Sequence, residues 1–162
     1  MTRSAVKGET IRLPTPPAPA DLARWLLDAE AGQHNDPEAL AALGERVYHR
    51  LRTHLAVLLG DNGFDALWAR AIHLAQPNFR FGDDPTTAES FPPRAAHAYG
   101  LYAAVRGYDL AVVQHNLVVA FASLITLLFT FIGAELSLHF IRQLWPDLPQ
   151  DVAESRADGA TP

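Results

Sequence analysis

The chain has 162 residues, of which 49% are hydrophobic, and this is enough apolar side chain to fill the core of a single domain. The formal net charge is −5, and the 13 lysines and arginines are scattered along the chain, so we expect no binding to nucleic acid. The absence of cysteine excludes disulfides, thiol nucleophiles and thiolate metal sites.

Both ends of the sequence are poor in large apolar side chains. Residues 1–20 include a proline-dense run at 13–19, which favours an extended backbone, and they lack the apolar stretch of a secretory signal. Residues 147–162 are rich in acidic and small residues. We therefore predict a disordered Pro-rich tail over 1–20, a helical domain over 21–146, a disordered acidic tail over 147–162, and a cytoplasmic protein.

Three helices are predicted between residues 21 and 76. Asp21 is a candidate cap for the first, which should end near Gly32. The second should begin at Asp36-Pro37, which pairs a capping residue with proline at the first helical position, and end at Gly60 about 23 residues later. Residues 61–63 are typical of a turn, and a third helix should follow them and end before Pro77.

The segment from residue 76 to residue 93 is longer than most connections in compact domains. It mixes aromatic and charged side chains, which favours either a lid over the core or a contact surface. We predict four interaction residues in it: Phe79, Arg80, Phe81 and Phe91. An alanine-rich helix is predicted next, over 94–106, between a Pro-Pro pair and Gly107.

A long apolar helix is predicted to follow Asp109, because residues 110–134 contain no charged side chain. This length satisfies the criterion for a membrane span, and a helix that is apolar on every side also suits the centre of a protein core. The core is favoured because the second helix has the same length and its leucine stripe needs an apolar cover. A last short helix is predicted over 134–145, where Pro146 stops it.

The apolar helix has one narrow stripe of small and hydroxyl-bearing residues. Ala120, Ser123 and Thr130 belong to it, and small side chains let another backbone approach closely. We therefore predict that these three residues lie against another helix. The predicted fold is all-α, a single bundle of about five or six helices.

Two weak candidate sites involve histidine. His115 lies in the apolar helix beside Asn116, and a satisfied polar cluster is the first interpretation; the alternative is a ligand pocket formed with His97 or Tyr99. Glu135 and His139 are four residues apart and share a helix face, as a metal pair would require, although a solvated polar arc explains them equally.

No nucleophile elbow, phosphate-binding glycine loop or metal-ligand spacing occurs in the sequence. We therefore expect a non-enzymatic interaction or regulatory module that uses no cofactor and binds a protein partner or a second copy of itself. Two alternatives stay open. One is a membrane-anchored, inner-membrane-associated protein held by residues 110–134, and the other is a helical domain that binds a small molecule or a metal.

Overall fold

The structure, a computed structural model, describes residues 16–32, 36–80 and 108–149. These residues form five α-helices and one 3-10 turn, with no strand, which confirms the predicted all-α fold and the long apolar helix. The helices are α1 (Pro19–Ala31), α2 (Pro37–Leu59), α3 (Asp61–Ala75), α4 (Leu110–Ile132) and α5 (Ala134–Leu144), and the turn is Gln76–Asn78. The helix predicted over 94–106 lies outside the described residues.

Two helices begin at the predicted caps. The Asp36 carboxylate accepts a hydrogen bond from the backbone N–H of Ala39 at 3.2 Å, and Asp109 does the same for Val112 at 3.0 Å. Each carboxylate satisfies one of the N–H groups that a helix start leaves without a partner. The starts of α2 and α4 are therefore set by local sequence.

The predicted starts of α1 and α3 were wrong by two or three residues, whereas α5 begins at residue 134 as predicted. Helix α1 begins at Pro19, so that Asp21 lies in the first turn instead of at the cap; the fixed φ of proline suits the first helical position. Helix α3 begins at Asp61, so residues 61–63 are helical rather than a turn. Gly60 alone makes the reversal between α2 and α3, with a φ of 76° that few other residues adopt.

Helices α2 and α3 run antiparallel. Arg52 of α2 hydrogen-bonds both carboxylate oxygens of Asp65 in α3, at 3.0 and 3.2 Å. The same hydrogen bonds raise the pKa of the Arg52 guanidinium above its usual range, so the guanidinium stays charged. Tyr48 lies one turn before Arg52 on α2, and Trp68 lies one turn after Asp65 on α3. The rings of Tyr48 and Trp68 pack with their centroids 4.9 Å apart.

Helix α4 runs antiparallel to α3 and therefore in the same direction as α2. The rings of Trp68 in α3 and Phe121 in α4 are 5.5 Å apart. Further along the chain from Trp68, Asn78 contacts His115, which comes before Phe121 in α4. Residue numbers thus rise on one helix as they fall on the other. Because α2 and α4 each have 23 residues and run together, the reversals at Gly60 and Gly133 lie at the same end of the bundle.

Helix α4 is the centre of the core and packs against each of the other four helices. Its buried residues are Val113, Asn116, Leu117, Val118, Ala120, Phe121, Leu124, Ile125 and Leu128. The helix is long and apolar enough to cross a membrane, with a mean hydropathy of 2.0 over its most apolar window, but 44% of that window is buried within the bundle. The core helix of a soluble protein satisfies the same criterion.

The last described residues contact helices α1 and α2. The Trp145 indole N–H donates a hydrogen bond to Glu30 at 2.9 Å, and Glu30 also pairs with Arg50. The Arg50 guanidinium lies 5.2 Å from the centre of the Trp145 ring, a cation–π contact. The core continues past Pro146, because Leu148 is 5% exposed.

Candidate functional site

A groove of about 650 Å³ lies over α4, between α1 and the end of α3. Its floor is one face of α4, since the lining residues of that helix recur at intervals of three and four. The lining residues are Ala20 and Arg24 of α1, Leu74 of α3, Asn78 after it, and Ala111, Gln114, His115, Val118, Val119, Ala122, Ser123 and Thr126 of α4.

The floor of the groove is made of small side chains. Ala111, Ala122 and Ser123 project little from the helix, and Val118 between them is 6% exposed. The hydroxyl of Thr126 donates to the Ala122 carbonyl at 2.8 Å, so its proton is not available to a partner in the groove. A floor of this kind allows the backbone of another helix to approach closely.

Among the described residues that line the groove, Arg24 is the one with a fixed charge. Its guanidinium lies 3.3 Å from the Asp21 carboxylate, and 59% of its side chain is exposed. An exposed ion pair of this kind is weak, about 0–1 kcal/mol, so the guanidinium can exchange Asp21 for another carboxylate. Gln114 and Asn78 add exposed amides to the groove walls.

One wall of the groove is fixed by two consecutive polar residues of α4. His115 Nε2 lies 2.9 Å from the Asn78 carbonyl oxygen, and since a carbonyl only accepts, Nε2 carries the proton. Asn116, which is 2% exposed, accepts from the Arg80 N–H at 2.8 Å and donates to the Arg80 carbonyl at 2.9 Å. The chain after α3 is thereby held against α4.

The sequence-predicted stripe residues lie in three different environments. Ala120 is fully buried in the core, Ser123 is half-buried and lines the groove, and Thr130 is exposed. The Thr130 hydroxyl donates to the Thr126 carbonyl at 2.8 Å. The three residues therefore do not form one surface.

The predicted interaction loop is described only as far as Arg80. Phe79 is 9% exposed and belongs to the core, while the Arg80 side chain is exposed beside Asn116. Phe81 and Phe91 lie outside the described residues. So do His97 and Tyr99, the predicted pocket partners of His115. His115 itself lines the groove.

The pair Glu135 and His139 lies on α5. The Gln143 amide N–H donates to His139 Nε2 at 3.1 Å. Glu135 is exposed in the first turn of the helix. In the described ranges, no three or more His, Asp or Glu side chains come together in a way that could hold a metal ion.

Sequence reasoning missed the groove because its walls come from separate helices. Nothing in the residue types of Ala20, Leu74 or Asn78 signals a shared surface. Asn116 did carry a signal, since an amide within an apolar helix must find partners. No known protein family matches the chain, and neither a curated protein nor a solved structure is similar enough to count as a match.

Proposed function

We propose that this chain is a non-enzymatic interaction module whose groove binds an amphipathic helix of another protein. The observation that carries the proposal is the groove over α4, which the described residues of α1 and α3 flank without covering. From Ala111 to Thr126 this face is about 22 Å long, which is the length of a helix of about 15 residues. Helix-in-groove binding is a recurrent mode of peptide recognition.

The floor of the groove favours a helix over a more irregular ligand. Helices pack at about 8–10 Å between axes, and the shorter distances require small side chains at the contact. Ala111, Ala122 and Ser123 meet that requirement on this chain. The apolar stripe of the incoming helix would cover Val119, which is half-buried, and would exclude water from it.

The charge at the groove sets one feature of the partner. Arg24 is the charged lining residue, and its contact with Asp21 is exposed. A glutamate or aspartate at the edge of the incoming helix would pair with this guanidinium. We therefore expect a partner helix with a small apolar stripe and an acidic residue beside it.

A library of helical peptides displayed on phage tests this proposal with a defined probe. Selection against the full chain should enrich amphipathic helices with an acidic residue beside the apolar stripe. Peptides so selected should lose binding at least tenfold on Ser123→Trp, which fills the groove. They should bind Thr130→Trp normally, because Thr130 is exposed on the same helix outside the groove.

The outcome that overturns the proposal is equally defined. Selection that enriches no helical peptide, or peptides that bind Ser123→Trp as well as they bind the unchanged chain, would contradict it. Circular dichroism of each variant confirms that the bundle is folded. Arg24→Glu then tests the charge, since it should weaken the acidic peptides and leave uncharged analogues unaffected.

A further inference from the structure

We propose that the end of the bundle at Gly60 and Gly133 rests on a neutral lipid surface. We call this region the apolar end and define it by four exposed side chains. Val57 is 88% exposed, Leu58 46%, Phe131 69% and Leu136 42%. This contact is separate from the groove and does not depend on a helical partner.

The four side chains share one end because of the helix directions. Val57 and Leu58 lie within one turn before Gly60, and Phe131 and Leu136 lie within one turn of Gly133. Both glycines are at the same end of the bundle, since α2 and α4 run in the same direction. Of the large hydrophobic side chains exposed in the described residues, only Leu74 lies elsewhere, in the groove.

The two threonine hydroxyls of α4 near this end already donate hydrogen bonds within the helix. Residues 126–132 contain no ionisable side chain. The hydroxyls of Thr126 and Thr130 donate to the carbonyls of Ala122 and Thr126, each at 2.8 Å. Hydroxyls that bond their own helix need no water, which is how they are accommodated in lipid.

The last carbonyls of α4 limit the depth of insertion. Helix ends leave carbonyls without intrahelical partners, and these must find water or lipid headgroups. The contact is therefore shallow, at the level of the headgroups, where apolar side chains reach the boundary of the acyl chains. Helix α4 stays within the bundle in this arrangement and does not span the membrane.

The size of the apolar end argues against a second copy of the chain as its occupant. Four partly exposed side chains present on the order of 400 Å², whereas a stable interface buries about 800 Å² on each partner. A lipid surface needs no complementary protein surface. Side chains that project from the end of a bundle can enter it one by one.

The charges near the apolar end determine which lipid it suits. The Asp61 side chain is 72% exposed, even though it pairs with Arg52, and Glu135 is exposed at the start of α5. Two exposed carboxylates at this end oppose approach to an anionic surface. Vesicles of phosphatidylcholine should therefore bind the chain, and added phosphatidylserine should weaken the binding.

Flotation of the full chain with phosphatidylcholine vesicles tests the proposal. We expect the chain to float with the vesicles and the double variant Val57→Glu/Phe131→Glu to partition at least tenfold less. Phe131→Leu should retain binding, because it keeps an apolar side chain at the same place. Leu74→Glu is the matched control, since it makes the same kind of change in the groove instead of at the apolar end.

Sedimentation equilibrium of the same variants tests whether a second copy of the chain occupies the apolar end instead. A chain that does not float with the vesicles would overturn the proposal, as would a double variant that floats normally. A dimer that the double variant converts to a monomer would assign the apolar end to a second copy and would also overturn it. Leu74→Glu should weaken the binding of peptides to the groove and leave flotation with vesicles unchanged. Failure of the lipid proposal can therefore be distinguished from failure of the groove proposal.

Discussion

The Asn116 side chain makes both hydrogen bonds that the Arg80 main chain offers, at 2.8 and 2.9 Å. An amide is well suited to this task, because it presents one donor and one acceptor side by side. The Arg80 side chain is not involved, so α4 fixes the backbone of the chain after α3 whatever residue occupies position 80. Together with His115 and Asn78, this contact holds one wall of the groove in place.

Replacement of Asn116 by leucine should lower the free energy of unfolding by about 1–3 kcal/mol, because it leaves the Arg80 N–H and carbonyl without partners. Urea denaturation measures the change. Gln114→Leu is the control: residue 114 is exposed and should change stability by less than about 0.5 kcal/mol. Equal effects of the two variants would contradict the importance of the contact.

Replacement of Asn116 by aspartate should make stability depend on pH in a defined direction. An ionised carboxylate accepts from the Arg80 N–H but cannot donate to its carbonyl, whereas the protonated acid can do both. Burial and the facing carbonyl both raise the pKa of such an acid in the folded state above the value of about 3.9 in the unfolded chain. The loss in free energy of unfolding, relative to the unchanged chain, should therefore be small near pH 4 and grow as pH rises through the folded-state pKa. A loss in free energy of unfolding that becomes smaller as pH rises would contradict this prediction.

At Gly44, helix α2 packs tightly against Leu117 of α4. A Cβ atom at this position would lie 2.6 Å from Cδ2 of Leu117, which is fully buried and has little room to move. Gly44→Val should therefore lower the free energy of unfolding by about 1–3 kcal/mol through overpacking. Gly63→Val is the matched control, since a Cβ there makes only an ordinary 3.4 Å contact with Leu59. If both valines have the same effect on the denaturation midpoint, the close approach is not the cause.

The hydrogen bond between Trp145 and Glu30 joins the two ends of the described fold. Trp145→Phe keeps an aromatic ring beside Arg50 but loses the 2.9 Å bond to the Glu30 carboxylate. A double-mutant cycle with Glu30→Ala should give a coupling of about 0.5–3 kcal/mol in the free energy of unfolding. A cycle of Trp25→Phe with Glu30→Ala is the control and should be additive. Additivity in both cycles would show that the bond contributes nothing.

Features that depend on neighbouring residues could be predicted from the sequence. Asp36 and Asp109 cap their helices as predicted, because the cap involves residues only three positions apart. The burial of the apolar helix followed from its composition and from the need to cover the leucine stripe of α2. The starts of α1 and α3 were predicted wrongly, because α1 begins at Pro19, before Asp21, and α3 begins at Asp61, directly after Gly60.

Features that combine separate helices could not be predicted. Ala120 and Ser123 are three residues apart on the predicted stripe, yet one is in the core and the other lines the groove. Which side of α4 is covered depends on where α1 and α3 pack, and residue spacing within α4 carries no information about that. The partners of Asn116 were equally beyond reach, because they are main-chain atoms 36 residues away.

The most direct test of the groove proposal is photo-crosslinking from Gln114, which is exposed and lines the groove. The residue is replaced by benzoylphenylalanine in the full chain, and the same replacement at Thr130 is the control. We predict that position 114 cross-links to one helical segment of another protein, that position 130 does not, and that a synthetic peptide of that segment binds the chain but not Ser123→Trp. Cross-links from position 114 only to this chain itself, whether to the same molecule or to a second copy, would contradict the proposal.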